Sequence, residues 1–262
     1  MDQLIKTYTK HLRLPYIHQN LSFHLEQARL ENQSYEEFLL NLFQYEVELR
    51  QQNGVNTRIR AAKFPYLKHL EELEVAALPL EAQKHYQTLK SLEFIEKKQN
   101  VILAGNPGTG KSHTVIGLGI KACQAGYHVY FAHVPTLIIE LKEAKNERVL
   151  QRLKKKFDKY HLVILDELGY ISFDKEGAEL LFNFISTRCE KASTMFTTNL
   201  PFSRWNEIFH DPIITAAMVD RITHQSYVIN MNGTSYRLQQ SKKFLETVSY
   251  THLRAHETLR HL

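Results

Sequence analysis

The 262 residues are 43% hydrophobic and 23% charged, the ordinary range for a globular protein with a real core, arranged as one large domain or a medium domain with a small companion. The longest apolar runs, such as Leu162 to Leu165, are far too short to span a bilayer and the N-terminus lacks a signal-peptide core, so no membrane partner and a cytoplasmic location are expected. Two distant cysteines, Cys123 and Cys189, exclude a disulfide framework, and a net charge of +5 admits a nucleic-acid partner without establishing one. The 14 histidines form neither an HExxH motif nor a compact cluster.

Along the chain, the first 65 or so residues have helical periodicity interrupted by breakers. Apolar positions run from Leu12 to Leu14 before Pro15, then through Leu21, Leu25 and Ala28, then through Phe38, Leu39, Leu42, Phe43 and Val47. Asn53-Gly54 is expected to stop the third helix, with Val55 to Lys63 forming a short fourth one before Phe64-Pro65. Residues 1–68 are therefore expected to be a small all-helical partner- or DNA-binding domain, with Arg58 and Arg60 placing positive charge near its end.

From about Asn100 short apolar runs alternate with longer amphipathic stretches, which predicts an α/β domain over residues 69–246 with a five-stranded parallel sheet flanked by helices. Strands are expected at Val101 to Ala104, Tyr127 to Ala132, Leu162 to Asp166, Thr194 to Thr198 and Tyr227 to Asn230. Helices are expected at Lys111 to Ala125, Val134 to Lys145, Glu147 to Lys159, Lys175 to Lys191 and Ile213 to Thr223.

Gly105-Asn106-Pro107-Gly108-Thr109-Gly110-Lys111-Ser112 follows the first of these strands and opens the first of these helices. Its glycines let successive backbone N–H groups turn inward toward an anion at the positive end of the helix, which is how a P-loop holds nucleotide phosphates. Lys111 is expected to reach the β and γ phosphates, Ser112 to ligate Mg²⁺, and His113 to lie beside the nucleotide. Asp166, at the end of a buried strand, is placed to hold the Mg²⁺ water shell, and Glu167 to orient or deprotonate a water. Asn199 ends the next strand, where it either touches the γ-phosphate or the attacking water, or serves as a turn residue. Arg221 and Arg237 are two late arginines able to neutralise phosphoryl charge. These residues point to an ATPase that forms ADP and phosphate, with a nucleotide-gated DNA-binding protein and a small-molecule kinase as the competing readings.

Together with Arg60-Ala61-Ala62-Lys63-Phe64-Pro65, LDELGY at Leu165 to Tyr170, FTTNLPFSRW at Phe196 to Trp205 and VDRI at Val219 to Ile222, the loop makes the chain resemble a family over about Leu12 to Leu245. That family is the IstB transposition-helper ATPases of the AAA+ class, related to DnaC-type helicase loaders. The resemblance implies an ATP-dependent homo-oligomer, joined through its ATP sites, that binds double-stranded DNA and recruits or activates a DDE transposase of an insertion sequence. A DnaC-like replicative helicase loader is the alternative. It also implies that Arg221 is a finger completing a neighbouring subunit's site, and that Arg237 acts on its own subunit's nucleotide. Lys142 and Lys145 lie where initiator-type relatives carry a channel-facing helix, and there they either contact DNA phosphates or form a solvated helix face. The run Arg152, Lys154, Lys155, Lys156 and Lys159 has the same two readings. Finally, Val248 to Thr258 looks like the translation of a transposon-end adapter used in sequencing libraries, so residues 247–262 are set aside as a non-native tail. Their removal lowers the charge to +4, because Arg254, Arg260 and Glu257 leave together.

Overall fold

The computed structural model describes residues 2–189, 191–238 and 241, so the adapter-like segment lies outside the described residues. The chain divides after Arg58 into two compact units.

The first unit contains α1 (Asp2–His11), α2 (Pro15–Leu30) and most of α3 (Tyr35–Ala61). Ile17, Leu21 and Leu42 are its buried centre, with Ile5, Leu14, Leu25 and Phe38 packed around them. Pro15 suits the first turn of α2 because its ring pre-sets the helical φ where no N–H is needed. The remaining first-turn amides are capped from another helix: Glu46 of α3, 2% exposed, accepts from the N–H groups of Tyr16 at 2.9 Å and Ile17 at 3.1 Å.

The expected break at Asn53-Gly54 does not occur, because α3 runs without interruption from Tyr35 to Ala61. A glycine inside a helix costs only about 1 kcal/mol relative to alanine, and the better helix formers further out, Glu48 to Gln52 before it and Arg58 to Ala61 after it, outweigh it. A Cβ at Gly54 would meet nothing nearer than the flexible Arg58 Nη1, at 3.4 Å. Gly54→Ala should therefore stabilise this unit by about 0.5–1 kcal/mol, read as a higher urea midpoint by far-UV circular dichroism. A lower midpoint would mean that the helix needs the glycine.

In the second unit, the chain between Pro65 and Asn100 forms elements beyond those expected above. It holds single 3-10 turns at Leu70–Glu72 and Val75–Ala77, then α4 (Leu80–Lys90) and the one-turn α5 (Glu93–Glu96). Ala82, Tyr86 and Leu89 give α4 a buried stripe at helical spacing. Beyond it come β1 (Asn100–Ala104), α6 (Lys111–Gln124), β2 (Val129–His133), α7 (Val134–Asn146) and α8 (Leu150–Phe157). They are followed by β3 (Leu162–Leu168), α9 (Lys175–Cys189), β4 (Ser193–Thr198), α10 (Asn206–Phe209), α11 (Pro212–Thr223) and β5 (Ser226–Asn230). The five strands are parallel, in the order β2-β3-β4-β1-β5. The main departure from expectation is α8, which is shorter than Glu147 to Lys159: Arg148 adopts φ 59° just before it, and the helix closes at Asp158.

The sheet is covered on both faces, as a parallel sheet requires. Period-two alternation divides its side chains. Val101, Leu103, Phe131, Ile164 and Met195 join one core with α4 and α6, whereas Ile102, Tyr130, Val163, Leu165 and Phe196 join another with α7, α9 and α11. Trp205, fully buried, fills the second core and donates its indole N–H to Leu200 O at 3.3 Å. This arrangement leaves the carboxyl ends of β1, β3 and β4 side by side under the loops that follow them.

Candidate nucleotide site

The phosphate loop starts where β1 ends. Gly105 N–H donates to Thr198 O at 3.1 Å, which ties the loop to the end of β4. Gly105 is sterically obligatory, since a Cβ there would collide with the Met231 carbonyl. Gly110, at φ 92°, turns the chain into α6, and a Cβ on it would stand 2.8 Å from Leu78. Residues 231–236 buttress the other side: Asn232 Oδ1 accepts from Asn106 N–H at 3.1 Å and Tyr236 N–H donates to Gly108 O at 3.0 Å. Thr109 Oγ1 donates to Asn106 O at 2.9 Å, Pro107 is exposed, and His113 Nε2 lies 3.0 Å from His69 O.

Lys111 is 7% exposed, and its ammonium donates to Gly105 O at 2.6 Å and Asn106 O at 2.7 Å. Burial pushes its pKa down to about 8, with Arg237 lowering it further and Asp166 pulling the other way. Arg237 is exposed and belongs to the same electrostatic neighbourhood, so the structure brings it toward Lys111 of its own protomer.

At the end of β3, Asp166 is 2% exposed and its Oδ1 accepts from Ser112 Oγ at 3.2 Å. The same oxygen accepts a very short hydrogen bond from Thr197 Oγ1. That hydroxyl in turn accepts Glu167 N–H at 2.9 Å. Glu167 has φ 64°, a left-handed conformation rare for a non-glycine residue, at an irregularity in the β3–β4 register. Thr197 thus holds both acidic residues, one through its side chain and the other through its backbone. His133, ending β2, faces them with Nδ1 3.7 Å from Glu167 Oε2 and 4.0 Å from Asp166 Oδ2. That nitrogen is buried and makes no hydrogen bond among the described residues. Asn199 is half-buried directly after β4, one residue beyond the Thr198 carbonyl that anchors Gly105.

The donor set suits the groups it was expected to hold. A serine hydroxyl beside a buried carboxylate offers the hard oxygens that Mg²⁺ takes, and the glycine-shaped loop with Lys111 suits a polyphosphate.

Other predicted site residues lie elsewhere. Arg221, on the last turn of α11, holds its guanidinium 5.8 Å from the Phe182 ring centroid on α9. Lys142 is paired with Asp174 at 2.6 Å and 2.7 Å, and Lys145 with Glu176 at 2.6 Å. A DNA phosphate at either lysine would have to displace these carboxylates. Arg58 is half-buried and Arg60 exposed.

Sequence reasoning missed Thr197, His133 and the apolar wall over the loop. Leu73 and Leu78 border Gly110, while Leu70 packs on Gly117. The Tyr66 hydroxyl is pushed up in pKa by burial and by the nearby Asp166 and Glu167. Of these only Thr197 had a visible signal: a polar residue on a strand whose neighbours alternate into two apolar cores.

A parallel sheet in this strand order, a glycine-shaped phosphate loop and a paired acid at the neighbouring strand end define a P-loop protein of the AAA+ type. Solved structures agree on the fold: DnaI at TM-score 0.54 and 17% identity, covering 67% of this chain and 93% of that one, and DnaA from Aquifex aeolicus with bound AMPPCP at TM-score 0.54 and 16% identity, covering 70% and 56%. Residues 7–244 match the family described as IstB-like ATP binding protein. The insertion sequence IS21 putative ATP-binding protein of Pseudomonas aeruginosa is 39% identical over 86% of each chain. The IS5376 counterpart from Geobacillus stearothermophilus is 35% identical over 92% of this chain and 96% of its own. The chain belongs to the IstB-like ATP-binding family.

Proposed function

We propose that this protein is a Mg²⁺-dependent ATPase that assembles with further copies of itself on double-stranded DNA and recruits or activates a DDE transposase. Among the described residues no helix is long and apolar enough to cross a membrane, and the proposed place of action is the cytoplasm. The observation that carries hydrolysis is the linked set Ser112, Asp166, Thr197 and Glu167. Bound Mg²⁺ would supply charge stabilisation at the β and γ phosphates. Ser112 and Asp166 would hold it, while Lys111 binds the phosphates. Glu167 would orient and deprotonate the attacking water, and Asn199 would hydrogen-bond that water or the γ-phosphate. Arg237 would act within the subunit and Arg221 across to a neighbour. The relatives named as insertion-sequence ATP-binding proteins support a transposase as the partner.

Co-purification tests the partner: the protein, duplex DNA and ATP are mixed with the transposase of the same element or with a hexameric replicative helicase. ATP-dependent capture of the transposase is expected. Capture of the helicase alone would overturn the reading in favour of a helicase loader.

Thr197 gives a further prediction. Thr197→Val keeps the buried shape and removes the hydroxyl, so kcat for ATP should fall about 10-fold, the scale of one hydrogen bond to a charged group, with KM nearly unchanged. Thr197→Ser should restore it. Equal kcat in the Val and Ser variants would leave the hydroxyl without a role.

A further inference from the structure

We propose that α8, together with Lys63, forms the seat for the phosphate backbone of duplex DNA, an inference that rests on the DNA-binding reading above and names its surface. The basis is a contrast between neighbouring helices. On α7, Lys142 and Lys145 are already neutralised by Asp174 and Glu176. On α8 and just after it, Arg152, Lys155, Lys156 and Lys159 are exposed, and among the described residues none of them forms an ion pair. The apolar residues Leu150, Leu153 and Phe157 turn the opposite side of α8 into the core, which commits the cations to solvent.

A second segment adds charge at the same spot. Phe131 N–H donates to Ala62 O at 2.8 Å, which pins the chain after α3 along β2. This brings Lys63 Nζ to 5.4 Å from the Tyr130 ring centroid, while Lys156 Nζ reaches the same ring at 5.8 Å. Tyr130 itself is 2% exposed, so the two lysines form a lid over a buried ring. Two acids lie close by, Glu140 near the Tyr130 hydroxyl and Asp158 paired with Lys191 at 3.7 Å. A surplus of cations gathered on one surface is unfavourable for the protein alone and is relieved by a polyanion.

The composition of the face selects the partner. Phe157 is buried and Tyr160 half-buried, so α8 itself offers no exposed ring for base stacking, as single-stranded nucleic acid would need, and the exposed His161 beyond it is already stacked on His128. Nor does α8 present a large apolar side to a lipid surface. Evenly spread cations on one helix face suit the regular phosphates of a duplex.

The test is duplex binding by fluorescence anisotropy across a salt series. Each lost phosphate contact should lower the slope of log K against log salt by about 0.9, so Arg152→Ala/Lys155→Ala/Lys159→Ala should lower it by about 2–3 and Lys155→Gln by about 1. Lys142→Ala/Lys145→Ala should leave it as in the wild type. ATP affinity and thermal midpoint, measured on every variant, should not change. A wild-type slope in the triple variant would overturn this surface while leaving DNA binding intact. If the triple variant instead lost binding to phosphatidylserine vesicles and kept that to DNA, the choice of partner would be wrong. Absence of duplex binding by the wild type would sink the DNA reading itself.

Discussion

Lys111→Ala should lower ATP affinity by at least about 10²-fold, the scale of about 3 kcal/mol for removing a buried charged contact. The ammonium is enclosed by the loop it serves, donating to Gly105 O and Asn106 O, so it is positioned where the phosphates must pass. Burial sets its pKa at about 8, and an anion beside it favours the charged form and raises that value. Below about pH 8 the group is charged with or without nucleotide, and little proton is exchanged. Above about pH 8 the protein alone loses the proton and must recover it on binding, so affinity should fall as pH rises through 8 and binding should be accompanied by proton uptake. Calorimetry in buffers of differing ionisation heat measures that uptake, which should vanish in the alanine variant. Equal uptake in both proteins would assign the proton to another group.

Glu167→Gln should lower kcat for ATP by about 10²–10³-fold and leave ATP binding unchanged, since the amide keeps the shape but cannot accept the proton of an attacking water. Glu167 suits this part better than its neighbour does. Asp166 is buried and engaged by two hydroxyls, whereas the Glu167 side chain is 45% exposed and reaches the site from a strained φ of 64°. That backbone strain is held by Thr197, which explains why a residue on another strand should influence turnover. Unchanged turnover in the glutamine variant would remove Glu167 from catalysis.

Much of the second unit was legible because its signals are local. Val101 to Ala104 followed by a glycine-rich loop and an amphipathic run dictates strand, turn and helix without help from distant residues, and the structure shows all three. The same holds for Leu162 to Asp166, although the strand continues to Leu168 past an irregularity no pattern announces. Asn53-Gly54 misled because a breaker is only a local bias, outweighed here by a long helix on either side. The turns between Pro65 and α4 were unreadable for the opposite reason: single 3-10 turns have no repeat to detect, and Leu73 and Leu78 gain their meaning only by lying over Gly110.

By itself the sequence determined the parallel α/β class and the family, and it singled out Lys111, Ser112, Asp166 and Glu167 as candidates, because each rests on residues adjacent in the chain or on ordered motifs. Tertiary structure decided which charges are already neutralised and which hydroxyl joins the two acids. Lys142 and Asp174, or Thr197 and Asp166, are about 30 residues apart and meet only when strands and helices pack. Pairing across such distances depends on how the chain closes on itself, and no local pattern encodes it.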